Sequence, residues 1–222
     1  MLKNKNMKVL SFDVGFTNLG VCLIHYDETD LSTKPHIRVE GVWKIDINEY
    51  NHAHVANGSC RGYHTNEPCD KLLHSLEQHE GLWTPIDKIL IERQPPQGLI
   101  QIEAILFQKW RDRAQKISPT SMHRFYSLSD SYEARKLQTV DIATPYLLDF
   151  PTFSQAERKH DLADSFCIAA YMISTWHEKA VAEHAEFERK RTLEADFKQY
   201  HGESLDNWFD QYRHENKRHK SQ

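Results

Sequence analysis

At 222 residues, 39% hydrophobic and 11% aromatic, the chain has the size of one ordinary globular domain with room for an appendage. A formal net charge of −4 excludes a wholly basic nucleic-acid coat but permits a local basic face. No apolar run approaches the roughly 20 residues that cross a bilayer, and Met1-Leu2-Lys3-Asn4-Lys5-Asn6 is too short and polar for a signal peptide. The expectation is a soluble intracellular protein with four scattered, reduced cysteines and no membrane partner.

The first strand, Lys8 to Asp13, alternates faces, with Leu10 and Phe12 on one side and Ser11 and Asp13 on the other. Gly15 and Gly20 allow the turns that follow, and Val21-Cys22-Leu23-Ile24 reads as the returning strand of a hairpin. Ile37, Val39, Gly41, Trp43 and Ile45 alternate again, which completes a three-stranded antiparallel meander. Residues 48–68 form a polar loop, and Leu72, Leu73 and Leu76 mark a helix over 70–82. The apolar run Ile86 to Glu92 is a buried strand reached by a crossover, so it lies parallel to its neighbour. A helix over 99–113 carries Ile102, Ile105, Leu106 and Trp110, and Ile117-Ser118-Pro119 is a brief strand or loop. Tyr132 to Phe150 is helical with a break expected before Pro145.

The clearest helix runs from Gln155 to Trp176, where Leu162, Phe166, Ala169, Ile173 and Trp176 form one stripe. From His177 the chain carries nine Lys/Arg and ten Asp/Glu with few apolar anchors, which predicts a charged helical extension. The expected architecture is therefore α/β: a mixed sheet of three antiparallel strands followed by parallel strands, flanked by helices, over residues 1–176, with an appendage over 177–222.

Four acids end or flank the predicted buried elements: Asp13, Glu92, Asp161 and Asp164. Taken singly, Glu92 reads as a solvated strand end, and Asp161 with Asp164 as favourable charges in a first helical turn. If the two strands pair and the late helix packs across them, the four converge, and such a cluster needs positive charge to stay ionised. Hard oxygen ligands without Cys or Met suit Mg²⁺, with Mn²⁺ as substitute, and two such ions can support phosphodiester hydrolysis.

Asp13-Val14-Gly15-Phe16-Thr17-Asn18-Leu19-Gly20, Ile91-Glu92-Arg93-Gln94 and Arg158-Lys159-His160-Asp161-Leu162-Ala163-Asp164, in this order, resemble the RuvC-type Holliday-junction resolvases. The branch they resemble holds the poxvirus and fungal mitochondrial enzymes, and the likeness spans about residues 8 to 175. It implies an RNase H-like fold, a homodimer, and Mg²⁺-dependent paired cuts in opposing strands of a four-way DNA junction. By motif position, Asp13, Glu92, Asp161 and Asp164 become the catalytic and metal-holding acids. The viral branch commonly has Lys-x-Asp-Asp, whereas this chain has His160 in place of the first Asp, which leaves His160 an accessory role to be found.

Arg93, Gln94 and Lys159 flank the acids and are candidates for DNA contact. So are Lys109, Arg111, Arg113 and Lys116, which belong to a stretch, 109–136, with seven Lys/Arg against three acids. Phe125 and Tyr126 read as core aromatics or as platforms for unpaired bases. His52, His54, Cys60, His64 and Cys69 match no standard zinc spacing and read as a polar loop. Two rival readings are a non-catalytic DNA-binding scaffold on the same fold and an ATP-binding protein of the actin and sugar-kinase type. The second shares the Asp-x-Gly-x-Thr loop at Asp13 but requires two lobes and a second phosphate loop.

Overall fold

The structure is a computed structural model that describes residues 6–48, 67–83, 85–201, 204 and 207–210. The strands are β1 (Asn6–Asp13), β2 (Leu19–Asp27), β3 (Ile37–Ile45), β4 (Lys88–Glu92) and β5 (Ala114–Ile117). The helices are α1 (Pro68–Gln78), α2 (Glu80–Trp83), α3 (Ile100–Lys109), α4 (Pro119–Phe125), α5 (Tyr132–Leu147), α6 (Pro151–Ser154) and α7 (Lys159–His201). The chain divides into two compact units, Met1–Thr175 and Trp176–Gln222, with the boundary inside α7.

In the first unit the sheet order is β3-β2-β1-β4-β5. The expected meander pairs antiparallel, β1 with β2 and β2 with β3, while β1 with β4 and β4 with β5 run parallel. Alternation along β1 separates two layers. Leu10 and Phe12 join Leu72 and Leu76 of α1 and Ile102 and Leu106 of α3 in one apolar core. On the other face Ser11 donates its hydroxyl to the Ser165 carbonyl of α7 at 2.6 Å. The predicted stripe Leu162, Phe166, Ala169 and Ile173 is buried. Burying Phe166 or Ile173 contributes about 1.5–3 kcal/mol each.

Three local expectations are corrected. The helix expected from Gln155 is two pieces: Pro151 opens the short turn α6, and α7 starts at Lys159. α5 does not break before Pro145 but runs through it to Leu147. A proline there removes one backbone donor, yet Leu148 N–H still bonds the Thr144 carbonyl at 3.1 Å and carries the last turn. Residues 119–125, unassigned from the sequence, form α4 with Pro119 in its first turn.

In the second unit Glu186 with Lys190 (2.7 Å) and Glu188 with Arg191 (3.2 Å) pair along the exposed helix surface. Among the described residues no helix is long and apolar enough to cross a membrane.

Candidate active site

Phe12 and Ile91 are register partners in the parallel β1–β4 pair, so Asp13 and Glu92 emerge side by side at the carboxyl ends of adjacent strands. The two carboxyls stand close enough that each shifts the other's proton affinity. Burial, then the charges of Glu92 and Asp164, push the Asp13 carboxyl well above its ordinary range, against the opposing pull of Lys136. Glu92 is also raised, by burial first; the bonds from Asp13 and Gln94 and the charge of Lys136 moderate the shift. The Gln94 amide donates to Glu92 Oε2 at 2.8 Å.

The helix acids arrive from the opposite layer. Asp161 and Asp164 are 6% and 8% exposed in the first turns of α7. Gly20, the register partner of Asp13, sets how close that helix comes, because a Cβ there would collide with the Asp161 carbonyl oxygen. The glycine lies within β2 and serves close approach, not the turn expected from the sequence. Arg158 Nε donates to Asp161 Oδ2 at 3.2 Å. His160 Nδ1 lies 2.9 Å from Asp161 Oδ1 and is buried without a hydrogen bond.

Lys136 supplies the positive charge that the acids require. It reaches in from α5 to ion-pair with Asp164. Burial opposes its charge, but Asp164 and then Asp13 outweigh the burial, and its pKa ends above the ordinary value. Asp13, Glu92 and Asp161 line one open cleft of about 420 Å³ together with Lys136 and Arg158. Glu92, Lys136 and Asp164 also wall a second pocket. Among the described residues no three His, Cys, Asp or Glu already stand in metal-holding geometry. The donor set is nonetheless all carboxylate, which fits a hard divalent cation once Lys136 yields Asp164.

The candidate DNA contacts separate. Arg93 and Gln94 follow Glu92 at the acid end; Arg93 is exposed, and its N–H is held by the Ile117 carbonyl at 2.7 Å. Lys159 opens α7 with its ammonium 5.7 Å from the Phe153 ring centroid. Lys109, Arg111 and Arg113 instead precede β5, at the opposite end of the strands from the acids. Arg113 donates to the Ile86 carbonyl at 3.0 Å, and Lys116 pairs with Glu103 at 2.6 Å. Phe125 packs on Tyr126 and Tyr171 yet stays 41% exposed, and the Tyr126 hydroxyl donates to the Cys167 carbonyl at 3.4 Å. The sequence reading missed the partners of the acids, Lys136 and Arg158. Arg158 sits three residues before Asp161 and was open to detection; Lys136 is 28 residues from Asp164 and was not. His52, His54, Cys60 and His64 lie outside the described residues, and Cys69 is a free thiol in α1.

A search of curated proteins finds no sequence match. Among solved structures, the fowlpox virus resolvase in complex with substrate Holliday junction DNA is 17% identical, covers 76% of this chain and 98% of its own, and superposes with a TM-score of 0.52. The yeast mitochondrial Holliday junction resolvase Ydc2 is 16% identical over 84% of this chain and 87% of its own, with a TM-score of 0.55. These likenesses show that the five-stranded sheet with its flanking helices has the same fold as these two proteins. The family model described as poxvirus A22 protein matches residues 7–175, which take in the sheet from the second residue of β1 onward and the four acids. The chain belongs to the poxvirus A22 protein family.

Proposed function

We propose that this chain is a divalent-metal-dependent endonuclease that resolves four-way DNA junctions as a homodimer, within cells where DNA is replicated or recombined. One observation carries the reading: two strand-end acids and two helix acids, brought in by separate elements, line two adjoining pockets that share Glu92 and Lys136, in a fold like that of the resolvases. A two-fold dimer suits a substrate of near two-fold symmetry and explains paired cuts.

Asp13, Glu92 and Asp164, with Asp161 beside them, would hold Mg²⁺ or Mn²⁺, two ions being the expected number. Such ions stabilise charge on the scissile phosphodiester and ease ionisation of the attacking water. The chain's own groups do the rest. Gln94 fixes the Glu92 carboxylate, Arg158 fixes Asp161, and Lys136, released from Asp164, is placed to hold a phosphate oxygen. Arg93 and Lys159 are proposed to contact the DNA backbone near the cut, where contacts position the strand more than they read it.

The test uses purified protein, an end-labelled four-way junction and a matched linear duplex, with Mg²⁺ or with EDTA. The expected result is symmetric, ligatable nicks in the junction alone and with metal alone. Tight junction binding without cleavage under Mg²⁺ or Mn²⁺ would replace the nuclease by a scaffold, and equal treatment of junction and duplex would remove junction resolution altogether.

A further inference from the structure

We propose that the second pocket beside the acids is a seat for one unpaired nucleobase of the strand being cut. The inference rests on the junction-nuclease reading and adds to it a site for the base. The pocket has a volume of about 240 Å³, room for a single planar base, and its wall is shared with the acid site through Glu92, Lys136 and Asp164. Because Glu92 and Lys136 also line the cleft that holds Asp13 and Asp161, a strand whose phosphate lies at the acids carries its neighbouring base to the pocket mouth.

The lining selects the occupant. Its floor is Met122 and Ile168, 3% and 1% exposed, a dry apolar surface suited to the face of a heteroaromatic ring. Hydrated ions gain nothing from such a floor, and the carboxylates of Glu92 and Asp164 repel an anion. An uncharged aromatic base meets neither penalty. At the mouth stands Tyr132, 54% exposed, with the Arg135 guanidinium and the Lys136 ammonium 5.8 Å and 5.5 Å from its ring centroid. A base can lie against the phenol ring while its own phosphate meets these two cations. His123 completes the lining; burial and then the Arg135 charge lower its pKa, so near neutral pH its ring offers one donor and one acceptor to a base edge. Neither Phe125 nor Tyr126 lines this pocket; Tyr132, with its exposed ring next to the acids, does.

The experiment measures binding of the full chain to a four-way junction in EDTA by fluorescence anisotropy. Two junctions are compared, one intact and one abasic at the nucleotide flanking the mapped cut. Tyr132→Ala is expected to weaken binding to the intact junction about tenfold, in line with a lost base–aromatic stack. It should change binding to the abasic junction less than about twofold, since no base is left to stack. Tyr132→Phe, which keeps the ring, should bind both junctions as the wild type does. Equal losses on intact and abasic junctions, or no loss on either, would overturn the base seat while leaving the nuclease reading in place. Absence of any junction preference in the wild-type chain would overturn that reading, and the base seat with it.

Discussion

The two ends of the parallel strands carry their charges differently. At the carboxyl ends of β1 and β4 the charged groups interlock: Asp13 with Glu92, Lys136 with Asp164, Arg158 with Asp161. At the other end, about 10 Å away along β5, Lys109, Arg111 and Arg113 are exposed. Of the seven Lys/Arg in the basic stretch 109–136, Arg135 and Lys136 alone line the pocket beside the acids. Charge density along a chain says little about a site until strand direction assigns each residue to an end of the sheet.

The comparison can be sharpened by substitution. Asp164→Asn is expected to lower the junction cleavage rate by about 10³-fold, with affinity in EDTA within about threefold of wild type; single-turnover kinetics and anisotropy measure the two. Gly20→Ala puts a methyl group into the Asp161 backbone and is expected to cost about 1–3 kcal/mol, read as a fall of several degrees in Tm.

Lys136→Met removes the internal counter-cation. Metal-free protein should lose stability, and Mn²⁺ affinity by calorimetric titration should tighten about tenfold, because the ion no longer displaces an ammonium from Asp164. Unchanged affinity would show that Lys136 does not compete for the site.

A pH series tests the buried proton. Asp13 holds its proton in the folded state above the ordinary aspartate value of about 3.9, so its stabilising contribution is complete at lower pH and is lost as pH rises through the raised value. In metal-free protein the Tm of Asp13→Asn relative to wild type should therefore climb with pH across that window. The smallest effect belongs to the far end: Lys109→Gln with Arg111→Gln should change junction affinity by less than about twofold at 150 mM salt. A larger loss would bring that end of the sheet into the DNA path.

What the sequence disclosed follows from period and locality. Alternation placed Ser11 and Asp13 on one face of β1, and the four-and-three spacing from Leu162 to Ile173 placed Asp161 and Asp164 on the flank of a buried helix. Those local patterns sufficed for the antiparallel meander followed by parallel strands and for naming the four acids as candidates; that β1 pairs with β4 depended on the crossover. The pairing of Lys136 with Asp164 depends on how α5 crosses α7, which no local pattern encodes. α4 was missed because seven residues with Met122 as their buried anchor make no readable stripe. Pro145 misled because the rule on residues before proline weighs one lost bond, whereas Ala143 and Leu147, both fully buried, hold the helix on either side of it.

The Ser11 hydroxyl has a consequence for the azimuth of α7. Apolar packing fixes which stripe of α7 faces the sheet, but it is non-directional and opposes small rotations about that seat only weakly. Such a rotation would carry Asp161 and Asp164 away from the strand ends while keeping much of the apolar contact. Ser11 bonds the Ser165 carbonyl at 2.6 Å and the Cys22 carbonyl at 3.2 Å, which makes it a directional pin between the central strand and one chosen turn of the helix. One hydroxyl between the central strand and the helix thereby indexes the rotation of α7, much as a key in a shaft fixes the angle of a wheel.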